Sequence, residues 1–338
     1  MKAMVLRQVV NLADEPAPLT LEDLPVPEPA PGELLIHVEV CGVCHTEIDE
    51  IEGRTVSSLP VVPGHQVVGT VAEAGDRFSS GDRVGVGWIF SACGTCEYCR
   101  AGNENLCSEF LATGRDRNGG YAEYMTIPED FACSIPPSLA AVDTAPLLCA
   151  GAIGYRSLRL TEIRDGQNLG LTGFGASAHL VLKMVRHLYP DIRVYVFARS
   201  ERERQFAMEL GAVWSGDTTD TPPDLLHAII DTTPVWKPIV AALGHLVPGG
   251  RLVINAIRKE DPDKRIMEEL DYTRHLWMEK EIKSVANVAR RDIEEFLKLA
   301  AETDSTPEVQ QCPLSEANVA LQELKRGNIK GAKVLIVG

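Results

Sequence analysis

Four of the chain's nine cysteines stand within the fifteen residues Cys93–Cys107, CGTCEYCRAGNENLC, in the order C-x2-C-x2-C-x7-C. Crowding of this kind makes disulfides, grips a metal or arises by chance, and the regular spacing argues against chance. A reducing cytosol keeps thiols free, so clustered cysteines there are more often metal ligands or catalytic groups than bridges. Four close-set thiolates make a closed tetrahedral zinc site, which is structural because no position is left for chemistry.

The compartment follows from what the chain lacks. No run approaches the ~18 uncharged apolar residues of a membrane span. The start, MKAMVLRQVVNLADEPAP, has neither the apolar core nor the small-residue cleavage site of a signal peptide. A soluble, cytoplasmic protein with no membrane partner is expected. The net charge of −15 is spread along the chain, which predicts a solvated surface. It argues against a nucleic-acid partner, since that surface needs clustered Lys and Arg to neutralise phosphates. With 338 residues, 45% of them hydrophobic, the chain has room for two domains at one per ~150 residues.

The periodicity divides the chain. Over the first ~145 residues, short alternating runs such as ELLIHVEV, VVGTVAEAG and YAEYMTI are separated by Pro- and Gly-rich turns, an all-β pattern. From about Gln167, apolar strands alternate with amphipathic stretches: NLGLTG, ASAHLVLKMVRHLY, RVYVFA, ERERQFAMELGA, LHAIID and RLVINA. Such alternation predicts a parallel α/β sheet with right-handed crossovers. Two helices, RRDIEEFLKLAAE and SEANVALQELKRG, and a last strand, KVLIV, complete the expectation.

The α/β half holds one chemical motif. LTGFGASAHL places Gly173, Gly175 and Ala178 as G-x-G-x-x-A between a strand and a helix. The first glycine permits the turn, the second lets a pyrophosphate approach, and the small third residue packs helix on strand. Phosphates would rest on the helix N-terminus. Glycine turns of this kind are common, but this one opens a repeated strand–helix alternation, which favours a dinucleotide.

The remaining candidate ligands are dispersed. CGVCHTEIDEIEGR carries Cys41, Cys44, His45, Glu47 and Asp49, VPGHQVVG carries His65, and PLLCAGAIGYRS carries Cys149. A lone Cys or His beside an apolar run is usually core. Two thiolates and one imidazole would suit zinc with a fourth position open to water or substrate.

Taken in order, GVCHTE, PGH, the four-cysteine lobe, PLLCAG and the G-x-G-x-x-A turn resemble the zinc-dependent alcohol dehydrogenases of the medium-chain dehydrogenase/reductase family over nearly the whole chain. The resemblance implies an α/β protein: a GroES-like β-rich catalytic domain (1–149), a Rossmann doubly wound parallel sheet (150–287) and a C-terminal return to the first domain (288–338). It implies two zinc ions per chain. Cys44, His65 and Cys149 would bind the catalytic one, and Cys93, Cys96, Cys99 and Cys107 the structural one. Cys41, Cys133 and Cys312 are then ordinary thiols. Zinc would polarise the alcohol oxygen as a Lewis acid while nicotinamide takes hydride from the carbinol carbon. Thr46 would hydrogen-bond the substrate oxygen and begin a proton relay. Glu47 would orient a zinc ligand, and His45 would approach the cofactor pyrophosphate. Trp88 and Ile89 resemble pocket-lining positions favouring small apolar alcohols, although Trp88 reads equally as core.

Three positions depart from the family pattern. Gln66 replaces the usual Glu after the zinc histidine. Asp49 replaces the histidine that ends the relay, which would then end in a carboxylate or in water. Ala332, between Lys330 and Lys333 in this region, replaces the arginine at the pyrophosphate. For the cofactor, Ala198 stands ~20 residues beyond the glycine turn, where NAD enzymes carry an acid. Arg199, Ser200, Arg202 and Arg204 follow, and Arg199 with Ser200 can meet a 2′-phosphate, so NADP is expected over NAD. The arginines also read as a solvated helix start. The substrate is expected to be a small alcohol or aldehyde and the protein a homodimer or homotetramer. A polyol dehydrogenase on the same fold and a zinc-stabilised binding module are the competing readings.

Overall fold

The computed structural model describes residues 1–338 apart from 56, 304, 305, 328 and 330 and the side chain of 176. Lys330 therefore lies outside the described residues. The chain folds into two compact units, one gathering Met1–Ala152, Val288–Ala301 and Thr306–Gly338, the other built on Ile153–Asn287.

The first unit is organised around the strand Glu33–Val43, whose inward residues become continuously buried from Val40 onward. It pairs antiparallel with Val67–Glu73, Tyr124–Pro128 and Ala332–Ile336, the last bringing Leu335 opposite Cys41. The chain end is thus part of the first unit's sheet. Apolar side chains from Met4 to Leu335 fill the core beneath. The strand read at YAEYMTI begins at Tyr124, because Tyr121 is instead fully buried and its carbonyl accepts from Met4 N at 2.8 Å. Two elements were not legible as helices: His45–Ile51, and a helix Ala141–Pro146 that continues as a π-helical turn Leu147–Gly151. Pro146 has no N–H to give to the preceding turn, and π turns of this kind occur mostly at functional sites. Cys149 lies in it.

The second unit is a six-stranded parallel sheet in which the strands, numbered along the chain within this unit, run 3-2-1-4-5-6. Asn168–Thr172 and Leu226–Asp231 occupy the two central places, and a doubly wound sheet of this order binds ligands outside the carboxyl ends of the strands, where the order reverses. Asn168–Thr172 is buried throughout, as an inner parallel strand must be. The short strand Trp214–Gly216 and the exposed edge strand Glu281–Ser284 escaped sequence reading, being too short or too polar. Among the described residues, no helix is long and apolar enough to cross a membrane.

Candidate metal centres and cofactor turn

Cys44 is the N-cap of the helix His45–Ile51, and three residues on, Glu47 Oε2 accepts the Cys44 backbone N–H at 2.8 Å. This reciprocal capping is the local signal that makes a helix start here. It also holds Glu47 Oε1 within 2.5 Å of His65 Nδ1. His65 arrives from the loop before Val67–Glu73 and is fully buried. Its Nε2 is buried with no hydrogen-bond partner among the described residues. Cys149 Sγ, on the π-helical turn, lies 3.8 Å from Cys44 Sγ. The ligand atoms of Cys44, His65 and Cys149 all lie within 4.8 Å of one another.

This donor set fits zinc. Two zinc–sulfur bonds of ~2.3 Å at the tetrahedral angle span ~3.8 Å between sulfurs, and the orphan His65 nitrogen is the atom a metal would take. The electrostatics agree. The hydrogen bond between the two thiols pushes Cys44 well below its ordinary pKa and Cys149 well above, so one sulfur of the pair is readily a thiolate. Burial works against a charge on His65, but the Glu47 carboxylate and the Cys44 sulfur raise its pKa. A dication shared by these groups would replace that proton.

The sulfurs of Cys93, Cys96, Cys99 and Cys107 likewise all lie within 4.8 Å of one another. Cys93 and Cys99 are 3.9 Å apart, again a tetrahedral edge. Backbone N–H groups point at the sulfurs: Cys96 N at Cys93, Cys99 N at Cys96 and Glu109 N at Cys107, at 3.4, 3.5 and 3.4 Å. The backbone N–H groups of Thr95 and Cys96 lower Cys93 to about 6, whereas burial raises Cys99 to about 12. The other cysteines, Cys41, Cys133 and Cys312, are buried thiols, and all nine are free of disulfides.

In the second unit Gly173 has φ +76°, and a Cβ there would fall 2.8 Å from Thr232 Oγ1. Gly175 caps the helix Ala176–Leu188 with open space around its Cα, and Ala178 is fully buried against the sheet. Turn, open approach and close packing are the three jobs of a dinucleotide turn.

Residues 30–137 match the family described as Alcohol dehydrogenase GroES-like domain. A protein of Mycobacterium tuberculosis (strain CDC 1551 / Oshkosh) named "Probable alcohol dehydrogenase AdhA" is 42% identical over 321 residues, covering 92% of this chain and 91% of that protein. The chain belongs to the zinc-containing medium-chain alcohol dehydrogenases. An alcohol dehydrogenase of Geobacillus stearothermophilus is 32% identical, with 94% of this chain and 95% of that protein covered. A solved cinnamyl alcohol dehydrogenase of Sorghum bicolor superposes with a TM-score of 0.82 at 26% identity, covering 99% of this chain and 97% of that one.

Other positions singled out by the family resemblance differ in surroundings. Thr46 is buried with Oγ1 3.6 Å from Cys44 Sγ, and the Gln66 side chain is buried near enough to Cys149 to favour its thiolate. His45 is exposed at the head of the same helix. Asp49 is 3% exposed and its Oδ1 meets Arg54 at 2.7 Å, so it is no solvated surface acid. Trp88 and Ile89 belong to a small buried cluster with Ala112 and Phe110. Lys333 is ion-paired with Glu323. Ser200 caps the helix Glu201–Glu209, accepting from Glu203 N, while Arg204 donates to the carbonyls of Ala198 and Arg199 at 2.8 and 3.1 Å. Arg199 and Arg202 are exposed. Sequence reading missed Glu50, a carboxyl 2% exposed whose pKa burial and the nearby Glu47 charge raise to about 8. Its one signal was the three-residue step from Glu47, which places both on one helix face.

Proposed function

We propose that the chain interconverts small or primary alcohols with aldehydes or ketones by hydride exchange with a nicotinamide cofactor, NADP ahead of NAD. The observation that carries this reading is the Cys44–His65–Cys149 group, whose ligand atoms lie within 4.8 Å while offering only three donors. Three protein ligands leave a fourth position for substrate. Cys44, His65 and Cys149 would hold zinc, which when bound supplies Lewis acidity at the substrate oxygen. Cys93, Cys96, Cys99 and Cys107 would hold a second, structural zinc.

The chain's own groups do the rest. Glu47 fixes the His65 ring so that Nε2 faces the site. Gln66, beside Cys149, brings no further negative charge to it. The Thr46 hydroxyl, beside Cys44, hydrogen-bonds the substrate oxygen and accepts its proton. Asp49 ends the relay, with the half-exposed Arg54 between it and solvent. Trp88 and Ile89 present apolar surface to the substrate.

Gly173, Gly175 and Ala178 would seat the pyrophosphate. NADP is favoured because Ala198 brings no carboxylate to the ribose, and because Arg199 is exposed at the strand end. Ser200 and Arg204 serve mainly to build the helix start. The exposed edge strand Glu281–Ser284 supports a homodimer or homotetramer, which light scattering would measure. Free thiols throughout suit a cytoplasmic protein.

The test is a panel of primary alcohols and aldehydes with each cofactor, read by the absorbance of the reduced nicotinamide. Turnover with NADP(H) above NAD(H) is expected. Absence of turnover in every pairing sinks the reading.

A further inference from the structure

One carboxyl beside the triad has no role in the mechanism above. Glu50 lies three residues beyond Glu47 on the helix His45–Ile51 and shares its face. Its Oε1 takes a hydrogen bond from Trp88 Nε1 at 3.4 Å. Its Oε2 is buried and has no hydrogen-bond partner among the described residues. The neighbouring cation does not fill that gap. Arg115 pairs with Asp116 at 2.6 Å and lies over the rings of Trp88 and Phe110, 5.2 Å from each centroid. On the other side Glu50 is within electrostatic reach of Glu47 and His65. The carboxyl thus bonds Trp88 through one oxygen and feels the charges of Glu47 and His65.

Buried polar oxygens are almost always bonded, because losing water without a replacement is unfavourable. An orphan oxygen beside Trp88 lacks a partner that an entering hydroxyl would supply. We infer that Glu50 is a specificity-determining residue whose free oxygen hydrogen-bonds a second hydroxyl of the substrate, so that diols and related polyols are taken ahead of plain alcohols of equal length. The inference rests on the alcohol dehydrogenase reading of the triad. A hydroxyl enters this buried site more readily than an ammonium group, since its desolvation is far less costly. A substrate lacking the hydroxyl leaves the carboxyl unpaired, the situation in which sites built for a hydrogen bond reject analogues by large factors.

The experiment compares kcat/KM of the zinc-loaded protein for butanol, the butanediols and aminobutanol, in the parent, Glu50→Gln and Glu50→Leu. The parent should favour a butanediol over butanol. Glu50→Leu should lower that ratio by about tenfold or more, and Glu50→Gln, which keeps a carbonyl acceptor, should retain most of it. An unchanged ratio in Glu50→Leu overturns the inference. So does a preference for aminobutanol that Glu50→Gln abolishes, because the partner would then be a cation. Zinc content is measured alongside, and loss of zinc from Glu50→Gln would assign the residue to the metal site instead. A parent inactive on every alcohol would sink the dehydrogenase reading itself, whereas activity on butanol with an unchanged ratio sinks only the role of Glu50.

Discussion

Glu47 joins two metal ligands through one carboxylate: Oε1 lies 2.5 Å from His65 Nδ1, and Oε2 accepts the backbone N–H of Cys44 at 2.8 Å. A helix cap and a ligand-orienting contact are thus the same side chain. Glu47→Ala should release both, weakening zinc at the triad by roughly 10–100-fold. The Cys93–Cys107 lobe should keep its metal. After dialysis against a mild chelator, elemental analysis should fall from about two zinc ions per chain to about one. Full retention of both would show that Glu47 does not support the ligand.

Removing ligands should separate the two centres. Cys93→Ser or Cys107→Ser should lower Tm, because a closed site's binding energy is folding energy. Cys44→Ser, His65→Ala or Cys149→Ser should abolish turnover with the fold largely retained. Lobe variants that melt like the parent would remove the structural role.

The cofactor preference turns on two neighbouring positions. Ala198→Asp with Arg199→Ile places an acceptor for the ribose hydroxyls at the strand end and removes the exposed guanidinium. The ratio of kcat/KM for NADP(H) to that for NAD(H) should fall by at least ~10-fold, about 1.4 kcal/mol. A parent already better with NAD(H) would show that Arg199 does not meet the cofactor.

In the second unit, Lys259 and the fully buried Asp231 form an ion pair, and Asp231 Oδ1 also accepts from Thr172 and Thr233 at 2.5 and 2.8 Å. Lys259→Met leaves that carboxylate buried without its cation, a loss of about 3–5 kcal/mol. Urea unfolding checks it, and Asp231→Asn in the same chain should restore part of the stability. A loss below ~1 kcal/mol, the range of exposed pairs, would contradict the pairing.

Acid should act on the histidines of this unit. His245 lies flat on Phe197 with ring centroids 5.7 Å apart, and burial, followed by Arg274 and Lys280, holds its pKa below 6.5. Burial does the same to His179 and His275. The folded state keeps these rings neutral while the unfolded chain protonates them below about 6.5. Unfolding therefore takes up protons there, and stability, complete above that pH, is lost as pH falls through the depressed folded values. Tm should decline between about pH 7 and 5, less in His245→Phe than in the parent. Parallel curves would remove His245 from the account.

The sequence alone determined what local pattern controls. Strand–helix alternation from Asn168 to Ile254 specifies a parallel sheet because burial on both faces demands continuous apolar runs. The four cysteines of the lobe are near neighbours in the chain, so their spacing already states a closed site, and Gly173 announces a turn only glycine makes easily. Tertiary structure decided what distance along the chain conceals. It brought Cys149 within 3.8 Å of Cys44, 105 residues away, on a π-helical turn that no periodicity announces. It also decided the status of carboxylates that look alike in HTEIDEI: Glu47 against His65, Asp49 paired with Arg54, Glu50 buried with one oxygen unbonded among the described residues. Charge and spacing are legible in a sequence. Burial and partner are not, because they depend on which other segments the fold packs against the helix.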